Sequence, residues 1–269
     1  MSVAGGLANA VPNAVAGRCE TMQLFASNPR AWATRPPDPD GDALYLARLA
    51  RTGIGPVHLH APYLVNLASP GDGTWERSAA VTAWTLRRAA QLGAAGVVVH
   101  AGSDLGAGRE RGLARTRAAV LPLLGDDDGP DLLFELTAGA RNTIASRFDQ
   151  MAELLDVLGD HPRVKVCLDT CHAHAAGYDL SDPPSAVKAI DELLATVGDR
   201  VPLVHANDSR DPVGAARDRH CEIGRGTIGA AGFAALLAHP GLRGAAFVTE
   251  TGEPKVQARD VRRLKRLRG

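Results

Sequence analysis

The chain has 269 residues, of which 45% are hydrophobic and 22% charged. That length supports one substantial core, and the composition excludes a disordered or fibrous chain. Thirty basic residues balance thirty acidic ones, so a polyanionic partner has to be met by a local patch and not by a global field.

In chain order, a helical pattern over 6–17 is followed by a strand over Met22–Ala26 and a Pro/Asp-rich loop, Arg35 to Asp40. Asp40 or Asp42 is placed to cap the next helix, over 41–52. Six further apolar runs then alternate with helical patterns. The runs are Pro56–His60, Gly96–His100, Asp131–Glu135, Val164–Asp169, Val201–His205 and Ala245–Glu250. The helices fall near 76–94, 109–124, 144–158, 185–198, 229–238 and 256–267. Gly125 to Pro130, with three consecutive Asp, reads as a solvated connection, and Val261, Leu264 and Leu267 mark the apolar side of a basic last helix. Strand–helix alternation of this kind predicts a parallel sheet with helices outside, a (β/α)8 barrel formed by a single domain over 1–269. The strand count is seven, short by one at the start, so the first strand is expected to be missing or truncated.

Each of the six later runs stops on a metal-capable residue: His60, His100, Glu135, Asp169, His205 and Glu250. Such endings place imidazoles and carboxylates together at the C-terminal face of a barrel, where barrel enzymes keep their sites. Mixed nitrogen and oxygen donors suit zinc, manganese or iron better than calcium or magnesium. Two loops add to the set. His172 lies one turn beyond Asp169, and Asp218 and His220 are two apart, which puts them on one side of an extended loop. Nine candidate ligands exceed what one tetrahedral zinc takes and suit two or three ions.

The other histidines read as structural: His161 and His239 before prolines, His58 as a satisfied core residue, and His174 as a neighbour of the site or a helix-surface residue. Four cysteines, Cys19, Cys167, Cys171 and Cys221, show no disulfide spacing and are expected to be reduced, with Cys167 and Cys171 as buried filler. Neither a signal peptide nor a transmembrane stretch is visible, which predicts a cytoplasmic protein. Gly224-Arg225-Gly226-Thr227-Ile228-Gly229 matches a dinucleotide fingerprint, but it follows the His220 loop where that fingerprint needs a strand. It reads as a tight turn into the helix at 229–238.

These segments together resemble the endonuclease IV family, metal-dependent apurinic/apyrimidinic (AP) endonucleases on a TIM barrel. The resemblance is carried by Ser27 to Trp32, His60 to Asn66, His100 to Ser103, Glu135 to Gly139, Asp169 to Leu180, His205 to Ser209, Asp218 to Gly226 and Glu250-Thr251. It implies three zinc ions, with manganese or iron possible at some sites. One is held by His60, His100 and Glu135. A second shares Glu135 and adds Asp169, His205 and Glu250. A third is held by His172, Asp218 and His220. It implies hydrolysis 5′ to abasic sites in duplex DNA, giving 3′-hydroxyl and 5′-deoxyribose phosphate ends, with trimming of blocked 3′ ends as a further activity. Glu135 is the catalytic residue in that scheme, positioning a bridging hydroxide. Arg30 and Tyr63 match residues that enter the DNA and help expel the abasic nucleotide. The protein is then a monomer, with no membrane partner, nucleoid-associated at damage. A metal-dependent sugar isomerase or epimerase of the same barrel type is the alternative; its sites lack the His172, Asp218 and His220 set. The family's opening strand has no counterpart before Ser2, and because a closed barrel needs eight strands the native start is expected roughly 7–12 residues upstream.

Overall fold

The computed structural model describes residues 1–125 and 128–269; Asp126 and Asp127 of the acidic connection lie outside the described residues. The strands are β1 (Met22–Leu24), β2 (Val57–His60), β3 (Gly96–His100), β4 (Asp131–Glu135), β5 (Val164–Asp169), β6 (Leu203–His205), β7 (Asp208–Ser209), β8 (His220–Cys221) and β9 (Ala246–Val248). The helices are α1 (Ala10–Ala16), α2 (Pro39–Leu49), α3 (Asp72–Gln91), α4 (Arg109–Leu124), α5 (Phe148–Val157), α6 (Thr170–Ala175), α7 (Pro183–Val197), α8 (Gly229–Ala238) and α9 (Pro254–Arg268). Seven parallel strands, in the order β1-β2-β3-β4-β5-β6-β9, form a nearly closed TIM barrel. β7 and β8 form a separate antiparallel pair.

Alternation along each strand divides the core in two. Val98, Leu133, Cys167, Leu203 and Val248 face inward and pack on one another inside the barrel. Their neighbours Val97, Val99, Leu132, Phe134, Val166, Leu168 and Val204 face outward and join the larger core beneath the helices. The second residue beyond each inward one must face inward again. Those residues are His100, Glu135, Asp169, His205 and Glu250, and His60 follows the inward His58 in the same way. The pleat therefore gathers five of the strand-end residues over one apolar plug and the sixth, His60, over His58.

Several expectations are corrected. Asp38, not Asp40 or Asp42, caps α2: its side chain accepts from the Gly41 amide at 3.1 Å, and Pro39 occupies the first turn, where a missing N–H costs nothing. The 6–17 segment begins as a 3-10 turn over Leu7–Asn9 before α1. His172 sits on a short helix, α6, and not in a loop. The Asp218–His220 loop ends in a strand, with Ser209 opposite His220. His58 is buried, but its Nδ1 has no hydrogen-bond partner, so it is a core histidine without being a satisfied one. The four cysteines, in contrast, are free as expected.

Among the described residues, the barrel stays open between β1 and β9, which are not hydrogen-bonded to each other. A cavity of about 830 Å³ fills the seam, lined among others by Met22, Phe247 and Leu264. Three polar links cross or cap it. The Met1 amine donates to the Gln23 carbonyl. Gln23 Nε2 donates to Glu250 Oε1 at 3.0 Å. Glu20, just before β1, takes Arg268 at 2.7 and 3.1 Å and Lys265 at 2.8 Å from α9.

Hydrogen bonds from Arg268 and Lys265 hold the Glu20 carboxyl down at about 2. A depressed carboxylate stabilises the fold fully above its ordinary range and loses that contribution as pH falls through its folded value. The pair is half exposed, so solvent screening keeps its worth small. Glu20→Gln should cost roughly 0.5–1 kcal/mol at pH 7. Urea unfolding should show that difference shrinking as pH is lowered from 7 to 3; an undiminished difference would contradict the assignment.

Candidate metal centre

At the C-terminal mouth of the barrel the strand-end residues converge. Donor atoms of His60, His100 and Glu135 lie within 4.8 Å of one another, as do those of Glu135, Asp169, His205 and Glu250. Glu135 belongs to both groups: its Oε2 is 3.2 Å from His60 Nε2 and 3.3 Å from His100 Nε2, and its Oε1 is 3.3 Å from His205 Nδ1. Asp169, His172 and His220 form a third group, which Asp218 joins through contacts of 3.2 Å to His172 Nε2 and 2.9 Å to His220 Nε2. All nine sequence candidates are thus brought together. Asp169 reaches two groups, and Cys171 lies within 4.8 Å of Asp218 and His220.

The local fold explains how α6 delivers His172. Asp169 ends β5 and caps α6, its Oδ1 accepting from the His172 amide at 2.9 Å. One carboxylate therefore fixes the helix start and aims its other oxygen into the cluster, 3.6 Å from His220 Nε2. The β7–β8 ladder sets His220 opposite Ser209, and Asp218 approaches from the exposed side.

The orientation of the imidazoles fits cation binding. His60 Nδ1 lies 2.6 Å from the Ala61 carbonyl, His172 Nδ1 lies 2.8 Å from the Leu136 carbonyl, and His205 Nε2 lies 2.8 Å from Gln23 Oε1. An acceptor on the outer nitrogen selects the tautomer whose inner nitrogen carries a lone pair. Those inner lone pairs then face carboxylate oxygens. Among the described residues, His172 Nε2, His205 Nδ1 and His220 Nε2 are buried with no hydrogen-bond partner, despite carboxylates close by. Lone pairs aimed at anions repel unless a cation stands between them, so the donor set fits the zinc, manganese or iron class.

Charge coupling is strong. Burial opposes a charge on His205, yet Cys167, Glu250 and Glu135 raise its pKa well above the ordinary value. Burial likewise opposes ionisation of Glu135, but His205 and His100 outweigh it and hold the carboxyl well below its usual range. Glu250 is held down at about 2, with His205 outweighing burial. Protons shared in this way are released when a cation binds, so affinity rises with pH.

Sequence reasoning missed two buried residues. Gln23 bridges His205 and Glu250. Asn207 donates to Asp169 Oδ2 at 2.6 Å and to Glu250 Oε2 at 3.2 Å, and accepts from the Glu250 amide at 2.9 Å. Gln23's place between apolar Met22 and Leu24 was the available signal: one polar residue facing into a barrel. Tyr63 is 46% exposed and stacks on His100, with ring centroids 5.7 Å apart. Arg30 is exposed, and its loop joins Tyr63, whose amide donates to the Pro29 carbonyl at 2.9 Å. His174 is buried on α6 and contacts Thr227 Oγ1 at 3.2 Å.

Fold and donor groups together define a TIM barrel of the metal-site type. A family model described as a xylose isomerase-like TIM barrel matches residues 14–267. A protein of Streptomyces avermitilis named probable endonuclease 4 is 45% identical over 256 residues, covering 93% of this chain and 82% of that one. Endonuclease IV from Thermus thermophilus superposes with a TM-score of 0.88 at 38% identity, covering 99% of this chain and 96% of that one. A D-tagatose 3-epimerase-like protein superposes at 0.71 with 18% identity over 92% of this chain and 88% of that one, a likeness of fold alone. The chain belongs to the endonuclease IV family.

Removing Gln23 frees the His205 ring and one Glu250 oxygen. Loss of such an outer partner typically costs about 10–100-fold in metal affinity. Gln23→Ala should therefore weaken zinc binding by that factor in a chelator competition, with the circular dichroism of the barrel unchanged.

Proposed function

We propose that the chain is a DNA-repair hydrolase that cleaves the phosphodiester bond 5′ to abasic sites in duplex DNA, leaving 3′-hydroxyl and 5′-deoxyribose phosphate ends. Its relatives named endonuclease 4 and the endonuclease IV neighbour support AP endonuclease activity. The observation that carries the finer reading is the third donor group, His172, Asp218 and His220, beside the two that share Glu135. His60, His100 and Glu135 hold one cation in this reading. Glu135, Asp169, His205 and Glu250 hold the second, and His172, Asp218 and His220 the third. Zinc is the first choice, with manganese or iron at some positions. Cations held there supply positive charge against a phosphodiester and lower the pKa of water.

The chain's own residues do the rest. Glu135, 1% exposed, sits between two groups and sets their separation. Asn207 and Gln23 keep the Asp169 and Glu250 oxygens turned inward. Tyr63, stacked on His100 at the rim, offers an aromatic face to a base step, and Arg30 on the adjoining loop offers a charge to the backbone. An abasic nucleotide has no pairing to lose, so extruding it costs less than extruding an intact one, which gives selectivity. Trimming of blocked 3′ ends follows from the same attack on a 3′ phosphate ester. The sugar-epimerase alternative has only the fold in its favour.

The direct test is incubation of metal-loaded protein with a duplex carrying one abasic site. Incision on its 5′ side, abolished by chelator, is expected. Glu135→Ala removes a shared ligand, so its loss should exceed the roughly 10–100-fold typical of outer-partner changes and reach about 10³-fold or more. Absence of incision by loaded wild-type protein would refute the reading.

A further inference from the structure

The G-x-G-x-x-G segment has a physical role that its resemblance to a nucleotide loop conceals. Asp208 is fully buried at the start of β7. Its Oδ2 accepts from the amides of Gly224 at 2.8 Å and Gly226 at 3.0 Å, with Gly229 at 3.3 Å. Its Oδ1 accepts from Ser209 at 2.9 Å and Ile228 at 3.0 Å, with Gly229 at 3.4 Å. Successive amides of this kind make an anion-binding concavity. Here the concavity is filled from within by the chain's own carboxylate. Gly226 is required for that approach, because a Cβ there would stand 2.4 Å from Asp208 Oδ1 and 2.2 Å from the Ser209 carbonyl.

The clamp bears on the donor groups through topology. Asp208 and Ser209 pair with Cys221 and His220. Thr227 closes the other side of the loop, its amide donating to the Ser209 carbonyl at 2.8 Å and its hydroxyl to the Asp211 carbonyl at 2.6 Å. The segment that carries Asp218 and His220 is thereby tied at its base to the end of β6, three residues from His205. We infer that Asp208 is a positioning residue: by gripping the Gly224–Gly229 amides it sets Asp218 and His220 against His172, and so gives the third donor group its affinity. Among the described residues, its side-chain hydrogen bonds go to the amides of Ser209, Gly224, Gly226, Ile228 and Gly229 and not to the other two groups. The inference rests on the reading of His172, Asp218 and His220 as a cation group.

Asp208→Asn keeps the size of the side chain but turns an NH2 donor toward amides that are themselves donors. The full-length protein, stripped of metal, is titrated with Co²⁺, followed by visible absorption and by metal content after dialysis. Wild type should take up three ions. Asp208→Asn should keep two at wild-type affinity and weaken the third about 10–100-fold. Gly226→Ala, which strains the same clamp and leaves the carboxylate in place, should do the same, and it decides the matter if Asp208→Asn does not fold. Retention of three ions at wild-type affinity, or an equal loss at all three groups, overturns the inference. Failure of the underlying reading shows separately in His220→Ala: if that variant binds as many ions as wild type, His220 is not a ligand and the inference falls with it.

Discussion

Everything at the mouth of this barrel depends on the pleat of a parallel strand. Side chains alternate between the two faces, so an inward apolar residue forces the residue two further on to point inward as well. Val98, Leu133, Cys167, Leu203 and Val248 form the plug. His100, Glu135, Asp169, His205 and Glu250 stand one step above it, and His60 stands above His58. The apolar plug excludes water from below, and this makes the interaction between imidazoles and carboxylates strong. The same layer that stabilises the barrel therefore sets the electrostatics of the site.

Around that ring, a second tier of hydrogen bonds decides which nitrogen of His60, His172 and His205 faces in. Ala61 and Leu136 carbonyls and the Gln23 amide take the outer nitrogens. Asp169 serves twice, as the cap of α6 and as a carboxylate in the cluster. Such double use ties the geometry of the site to the integrity of secondary structure.

The strands and their terminal residues were legible because both signals are local: a short apolar run and the residue that stops it. The spacing of Asp218 and His220 was also legible, but their partner strand was not, because the pairing of His220 with Ser209 is set by the fold and leaves no mark in either segment. Asn207 was missed for the same reason, since one buried amide has no spacing to recognise, whereas Gln23 left a faint local mark as a lone polar residue between Met22 and Leu24. The cap of α2 was misplaced within a run of three aspartates. Pro39 decides it, since a proline belongs to the first helical turn and so follows the cap. The glycine-rich segment was read from its context as a turn into a helix, and it does lead into α8, yet what fills it, Asp208, lies outside the motif and is visible only in three dimensions.

The open seam has a mechanical consequence. Elsewhere in the barrel a backbone ladder joins each strand to the next, but among the described residues β1 and β9 share no ladder, and at the mouth Gln23 of β1 reaches Glu250, just beyond β9. His205, which Gln23 holds, and Glu250 belong to one donor group. A cation held there, in the proposed arrangement, would fix both side chains that Gln23 reaches from β1. Binding free energy then appears as resistance of the two edge strands to parting, growing with the logarithm of free metal concentration. In that arrangement a bound ion would reinforce the Gln23–Glu250 hydrogen bond at the junction that lacks a backbone ladder.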